Sequence, residues 1–338
     1  MKGEKITEGT NPVNKECNLG KADNAHKDNK DSKSLESSTT TPAQIILPSR
    51  KVEVIKPRML DEDKFERSKR LGWFNLEMIE KARVLVVGCG ALGNEVTKNL
   101  VLSGFKHLTL VDMDYIVKSN LNRCIFFNEL DAKEKRLKAQ VVKEQLLKID
   151  PNLDIQIFTD KIESLPESLI PSHTVVFGCL DNIAARLHVN AHCYYNKIPY
   201  IDGATLGMLG KVQVVLPPET PCLECGMNKT HMKVLEKRFS CTGTDITFYE
   251  AKLAAEITTT SVVAAVQVRE ALKIVNLKSD QVFRNIFYYD ANRNVSDILE
   301  MAINPDCPHH KKDIQMEGEL QDTDVIAENQ SEVQDDED

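Results

Sequence analysis

The alternation of apolar and polar positions becomes regular only after residue 82. Arg83–Val87 is a short β-branched run ending in Gly88-Cys89-Gly90-Ala91-Leu92-Gly93. Residues 94–103 carry Val96, Leu100 and Val101 at helical spacing, and Gly104 suits the helix end. Residues 108–112 read as the next strand. The pattern then predicts an amphipathic helix over 135–149, stopped by Asp150-Pro151 because a residue before proline avoids the helical region. Further strands are expected at 154–158, 174–179 and 198–201, with a helix over 182–195 between the last two. Beyond these come a strand at 211–216, a helix at 261–275 and a strand at 282–289. Strands alternating with helices predict an α/β fold with a doubly wound, mostly parallel sheet. The chain has no internal repeat.

Outside this region the pattern fails. Residues 1 to about 45 are rich in Lys, Asn, Asp, Ser and Thr and too poor in large apolar side chains to offset their ordering entropy. The expected organisation is a disordered tail over 1–58, an ordered body over 59–312 and a disordered acidic tail over 313–338. Of the net charge of −8, eleven negative charges lie after Lys312 with no Lys or Arg among them, so the rest carries +3. A nearly balanced body offers no groove for nucleic acid. No apolar run approaches the roughly 18 residues that cross a membrane, and no signal-peptide core opens the chain. The nine Cys follow no compact disulfide spacing, so they read as reduced thiols, metal ligands or nucleophiles, with the cytoplasm the expected compartment.

Chemistry enters with the glycines. Gly88, Gly90 and Gly93 spell G-x-G-x-x-G between a strand and a helix, where backbone N–H groups and a helix N-terminus can meet a phosphate. Asp112 ends the next strand, 19 residues past Gly93, where a carboxylate can accept hydrogen bonds from ribose hydroxyls. Taken alone, this pair fits a nicotinamide dehydrogenase equally well. The following segment does not. From Asp112 and Asp114 through Asn120 and Asn122 to Arg123, it gathers two acids, two amides and an arginine in one connection. Such a set can hold magnesium and ATP phosphates and stabilise charge during attack at the α-phosphorus.

On these motifs the chain resembles the ubiquitin-like-protein activating enzymes and the ThiF-MoeB-HesA adenylyltransferases, over about Phe65 to His310. The resemblance implies a Rossmann-like adenylation domain using ATP and magnesium. It implies that Asp112 binds ribose, that Asn122 and Arg123 reach the phosphates, and that Lys138 is the phosphate-binding lysine. It further assigns Asp181, in Cys179-Leu180-Asp181-Asn182, to magnesium, and Arg70 to a partner's ATP site in a homodimer. Two positions depart from the pattern. Cys124 stands where a glutamine is usual, and Lys135 where a glycine is usual near the start of the helix bearing Lys138.

Two more groups stand out. Cys222-Leu223-Glu224-Cys225 is a C-x-x-C pair, and Cys307-Pro308-His309-His310 is a C-x-x-H pair. Together, Cys222, Cys225, Cys307 and His310 can close a tetrahedral zinc site, with His309 as the competing donor. A lone C-x-x-C would equally suit redox work; the second pair, at the place where the family has one, turns the reading to structural zinc. Between the pairs, Cys241 follows Lys237 and Arg238, whose charges favour a thiolate, and Cys241-Thr242 matches the family's catalytic Cys-Thr step. The implied reaction is ATP-dependent adenylation of the C-terminal glycine of a ubiquitin-like protein ending in Gly-Gly. A thioester on Cys241, for transfer to a conjugating enzyme, would follow. The alternatives are an adenylyltransferase for a sulfur-carrier protein that makes no thioester, or a non-catalytic scaffold half.

Overall fold

The computed structural model describes residues 63–227 and 256–311. Both predicted tails and Cys241 lie outside the described residues. Three strands follow the sequence pattern closely: β1 (Arg83–Val87), β2 (His107–Val111) and β3 (Asp154–Phe158). They join β4 (Val175–Gly178), β5 (Tyr200–Leu206), β6 (Leu209–Val215), β7 (Ile286–Asp290) and β8 (Val295–Leu299) in one eight-stranded sheet. The strand order is β3-β2-β1-β4-β5-β6-β7-β8. The pairings from β3 to β5 are parallel, whereas β5 to β8 form an antiparallel meander. The sheet is therefore doubly wound in one part and a hairpin series in the other. The meander was not legible as such because its outermost strand, β8, is exposed along its whole length and carries no buried alternation.

Helices cover both faces. One face packs the helices Ala91–Ser103 (α3), Lys138–Ile149 (α5) and Ile257–Val275 (α7) against Val84, Val86, Leu108, Leu110, Ile201 and Val212. The other packs Ile183–Tyr195 (α6) against Leu85, Val87, Val176 and Tyr200. Short helices Glu66–Lys69 (α1), Leu76–Lys81 (α2) and Glu129–Lys133 (α4) complete the order. The chain leaves β1 for one face and β4 for the other, so the crevice at their carboxyl ends is a topological switch point, where open α/β sheets bind ligands.

Local chemistry explains the boundaries. Gly104 ends α3 at φ 105°, a left-handed cap that glycine adopts without a Cβ penalty. Asn182 opens α6 by accepting hydrogen bonds from the Ala184 and Ala185 amides. The start of α5 falls at Lys138 rather than 135, because Lys135 sits at φ 50°. That left-handed conformation costs a side-chain-bearing residue roughly 1–2 kcal/mol.

Candidate adenylation site and metal cluster

The site is assembled at the carboxyl ends of β1, β2 and β4. Two of the three loop glycines are required by packing. A Cβ on Gly88, at φ 98°, would fall 2.5 Å from the Cys179 carbonyl oxygen, and one on Gly93 would fall 2.0 Å from the Gly88 carbonyl oxygen. Gly90 is different: a Cβ there meets nothing within 4 Å. The space beside Gly90, at the start of α3, is open, and the helix N-terminus there has no side-chain cap. Uncapped backbone N–H groups at a helix N-terminus are the kind of group that can meet a phosphate. Asn94, not singled out from the sequence, binds the loop to the segment after β2. Its amide nitrogen donates to the Cys89 and Gly90 carbonyls at 2.9 and 3.0 Å, and its oxygen accepts from the Phe126 amide at 3.0 Å. The only signal for it was a polar residue on the buried face of α3.

Asp112 follows β2, and its carboxylate is fastened by the backbone. One oxygen accepts from the Cys89 amide at 2.7 Å and the other from the Asp114 amide at 2.8 Å. Burial raises its pKa, opposed by Lys138 and by those two amides. The chain then runs antiparallel to residues 136–138: Ile116 donates to the Arg136 carbonyl, and Lys138 donates its amide to the Asp114 carbonyl. This pairing sets the Lys138 side chain against Asp114, with 2.7 Å between Nζ and Oδ2. Burial would lower the Lys138 pKa, but Asp112, Asp114 and Asp181 together carry it above its ordinary value. The structure thus brings Asp112, Asp114, Lys138 and Asp181 into one electrostatic group, with Asp181 itself exposed.

Asn122 and Arg123 lie on the same loop but are turned back on it. Arg123 donates to the Ser119 carbonyl and, at 3.1 Å, to the Asn122 side chain. Cys124 is buried, and burial pushes its thiol up to about 11, so it serves as a packed apolar group and not as a nucleophile. Arg70 caps the short α1 and pairs with Glu66. The neighbouring Phe65 ring packs on Gly104, at the end of α3 remote from the glycine loop. Thirteen helical residues separate those ends, which is about 20 Å. Arg70 is not at its own chain's crevice.

Opposite the end of β4 lies a group that the sequence did not single out. Asp202 on β5 is fully buried and accepts both arms of the Arg186 guanidinium, with Nε at 3.0 Å, and the Tyr200 hydroxyl at 3.0 Å. The Arg186 pKa is raised: Asp202 outweighs the burial that alone would lower it. On the opposite face the fully buried Gln267 of α7 donates to the carbonyls of Gly178 and Ile201. These bonds tie the carboxyl end of β4, which Cys179 and Asp181 follow, to the start of β5.

The second constellation is a metal-type cluster. The ligand atoms of Cys222, Cys225, Cys307 and His310 all lie within 4.8 Å of one another. Cys222 Sγ is 3.9 Å from Cys225 Sγ and 3.6 Å from Cys307 Sγ. Contacts with Cys222 and then Cys307 lower the Cys225 thiol, while Cys222, facing Cys225 and Cys307, is raised. Three thiols this close favour a shared cation over three separate protons. The Tyr194 hydroxyl lies 3.0 Å from His310 Nδ1 and orients the ring. His309, the competing donor, instead meets Glu224 at 3.0 Å. The donor set fits a tetrahedral soft-ligand site joining the turn after β6 to the segment after β8.

With this geometry in view, comparison with known proteins is decisive. The model of the ThiF family matches residues 65–309. The chain belongs to the ThiF family. Among relatives, the molybdopterin-synthase adenylyltransferase of Salmonella typhimurium is 32% identical over 233 residues, covering 68% of this chain and 88% of that protein. SUMO-activating enzyme subunit 2 of Dictyostelium discoideum is 36% identical over 157 residues, covering 46% of this chain and 23% of its own length. The NEDD8-activating enzyme E1 catalytic subunit of Schizosaccharomyces pombe is 32% identical over 181 residues, 49% of this chain and 40% of that one. The chain thus spans well under half of the two activating subunits. Among solved structures, E. coli MccB with ATP shares the fold at a TM-score of 0.59 and 20% identity, covering 74% of this chain and 75% of that one. No helix among the described residues is long and apolar enough to cross a membrane.

Proposed function

We propose that this ThiF-family chain uses ATP to adenylate the C-terminal glycine carboxylate of a ubiquitin-like protein and then holds that protein as a thioester on Cys241. The observation that carries the first step is the convergence of Asp112, Lys138 and Asp181 beside a glycine loop whose Gly90 leaves room for a phosphate. Asp112 would bind the ribose, and Lys138, Asn122 and Arg123 the phosphates. A magnesium ion held near Asp181 would neutralise the leaving pyrophosphate. A carboxylate oxygen of the carrier attacks the α-phosphorus; the new O–P bond forms as the bond to the β-phosphate breaks. The Cys241 thiolate then attacks the acyl carbon, a C–S bond forms and AMP leaves. A conjugating enzyme would accept the carrier from Cys241.

The match to nearly nine-tenths of a molybdopterin-synthase adenylyltransferase supports a second reading, adenylation of a sulfur carrier with no thioester. One experiment tests the proposal and separates the two readings. Gly-Gly-ended carriers are screened for ATP–pyrophosphate exchange, and the active carrier is run on a non-reducing gel with wild type and Cys241→Ala. Exchange with a thiol-sensitive adduct lost in Cys241→Ala is expected. Exchange with no thiol-sensitive adduct in the wild type would favour the sulfur-carrier reading, an adduct unchanged in the variant would assign the thioester elsewhere, and no exchange with any carrier would refute adenylation.

Arg70 supports a homodimer in which each chain completes its partner's site, since it lies away from its own crevice. Mixing Arg70→Ala with Asp181→Ala, each inactive alone, should restore up to about a quarter of wild-type exchange if the subunits reassort. A mixture as inactive as its components would count against a shared site. Cys222, Cys225, Cys307 and His310 are read as a structural zinc site that takes no part in the chemistry.

A further inference from the structure

Lys211 on β6 is a charged residue placed inside the sheet with no assigned task. By strand register it is the partner of Ala204 on β5, and Asp202, two residues earlier, is the residue opposite Gly178 on β4. Side chains two apart on a strand share a face. Lys211 therefore stands on the same face as Asp202, in a line running from Gly178 across β5 to β6 along the carboxyl edge. At ~4.8 Å per strand, Lys211 stands about 10 Å across the sheet from Gly178, which leads into the segment bearing Asp181.

Asp202 cannot serve as its counter-ion in full, because both oxygens are taken by Arg186 and one also by Tyr200. Among the described residues the Lys211 ammonium makes no hydrogen bond or ion pair, although the side chain is half-buried. Burial lowers its pKa, Asp202 opposes this and Arg186 reinforces it. A half-buried cation next to a second, already paired cation is unfavourable by itself and becomes favourable beside an anion. The β5–β6 turn beside it exposes Leu206 and Met208, a surface suited to an extended peptide.

We infer that Lys211 binds the terminal carboxylate of the carrier protein as its C-terminal tail runs over β5 and β6 toward the α-phosphate. The inference rests on the adenylation reading above and adds to it a residue that selects a free carboxyl terminus. It gives Asp202 a second role: by holding Arg186, it leaves Lys211 as the cation that faces the substrate.

The test uses the full chain and the carrier that supports exchange, prepared with a free C-terminal carboxylate and as the C-terminal amide. Wild type should bind the acid at least about ten-fold more tightly than the amide. In Lys211→Ala and in Lys211→Met, which keeps the apolar stem, this ratio should fall toward one through weaker binding of the acid alone. Lys211→Arg should restore most of it. KM for the carrier should rise in the Ala and Met variants while KM for ATP stays unchanged. An undiminished acid-to-amide ratio in the folded Met variant, or a rise in KM for ATP instead, would overturn the assignment. Absence of exchange in the wild type would refute the underlying adenylation, a separate outcome from its persistence with an unaltered ratio in the variants.

Discussion

Lys138→Ala is expected to lower carrier-dependent ATP–pyrophosphate exchange by about 10²–10³-fold, on the order of 3–4 kcal/mol of transition-state stabilisation. The size follows from the geometry. The Lys138 side chain is 12% exposed and 2.7 Å from Asp114, and its charge is felt by Asp112. Removing it leaves Asp112, Asp114 and Asp181 converging with no cation between them, so the local field repels the phosphates it should attract. Because Lys138 holds down the pKa of Asp112, its loss should also push that carboxylate higher. The acid limb of the exchange profile should therefore move to higher pH in the variant. Steady-state exchange from pH 5 to 9, with thermal melting as a fold control, checks both effects. A loss below ten-fold would mean that Lys138 is not the phosphate cation.

The largest expected effect on stability is at the metal cluster. Purified protein should contain about one zinc per chain, and Cys307→Ser should lose it. A ligand present at about 1,000 times its Kd stabilises the folded state by ~4 kcal/mol. For a domain of this size that corresponds to a fall in Tm on the order of 10 °C when the site is lost. The energy is concentrated there because the cluster ties two distant segments, the turn after β6 and the end of the described chain, to Tyr194 of α6. Its thiol ligands must be deprotonated, so zinc retention should weaken as pH falls. Elemental analysis and melting of wild type and Cys307→Ser, with and without chelator, provide the measurement. An unchanged Tm in a zinc-free variant would remove the structural role.

Much of the site was visible before the fold was known, because its residues are close in sequence to strong local signals. Glycine loops, the acid-rich stretch after β2 and the two Cys pairs are short motifs whose chemistry does not depend on distant contacts. The start of α7 was not visible: Thr258, Thr259 and Thr260 are β-branched and weak helix formers. Their helix is nucleated by Glu256, whose carboxylate caps Thr258 and Thr259 at 2.7 and 2.8 Å. The choice between His309 and His310 was equally out of reach, since it depends on Glu224 and Tyr194, each more than 80 residues away in sequence.

The local order of elements, the parallel core and the chemical identity of the candidate ligands were determined by sequence alone, because strand–turn–helix patterning and ligand spacing are properties of short segments. Tertiary structure decided the rest. The register β5–β6 set Lys211 opposite Ala204, on the face that Asp202 shares, and the pairing of residues 114–116 with 136–138 set Lys138 on Asp114. It also showed that the space at Gly90, unlike that at Gly88 and Gly93, is open. Such relations depend on contacts between strands and loops far apart in the chain, and a one-residue shift in register would turn every side chain to the other face.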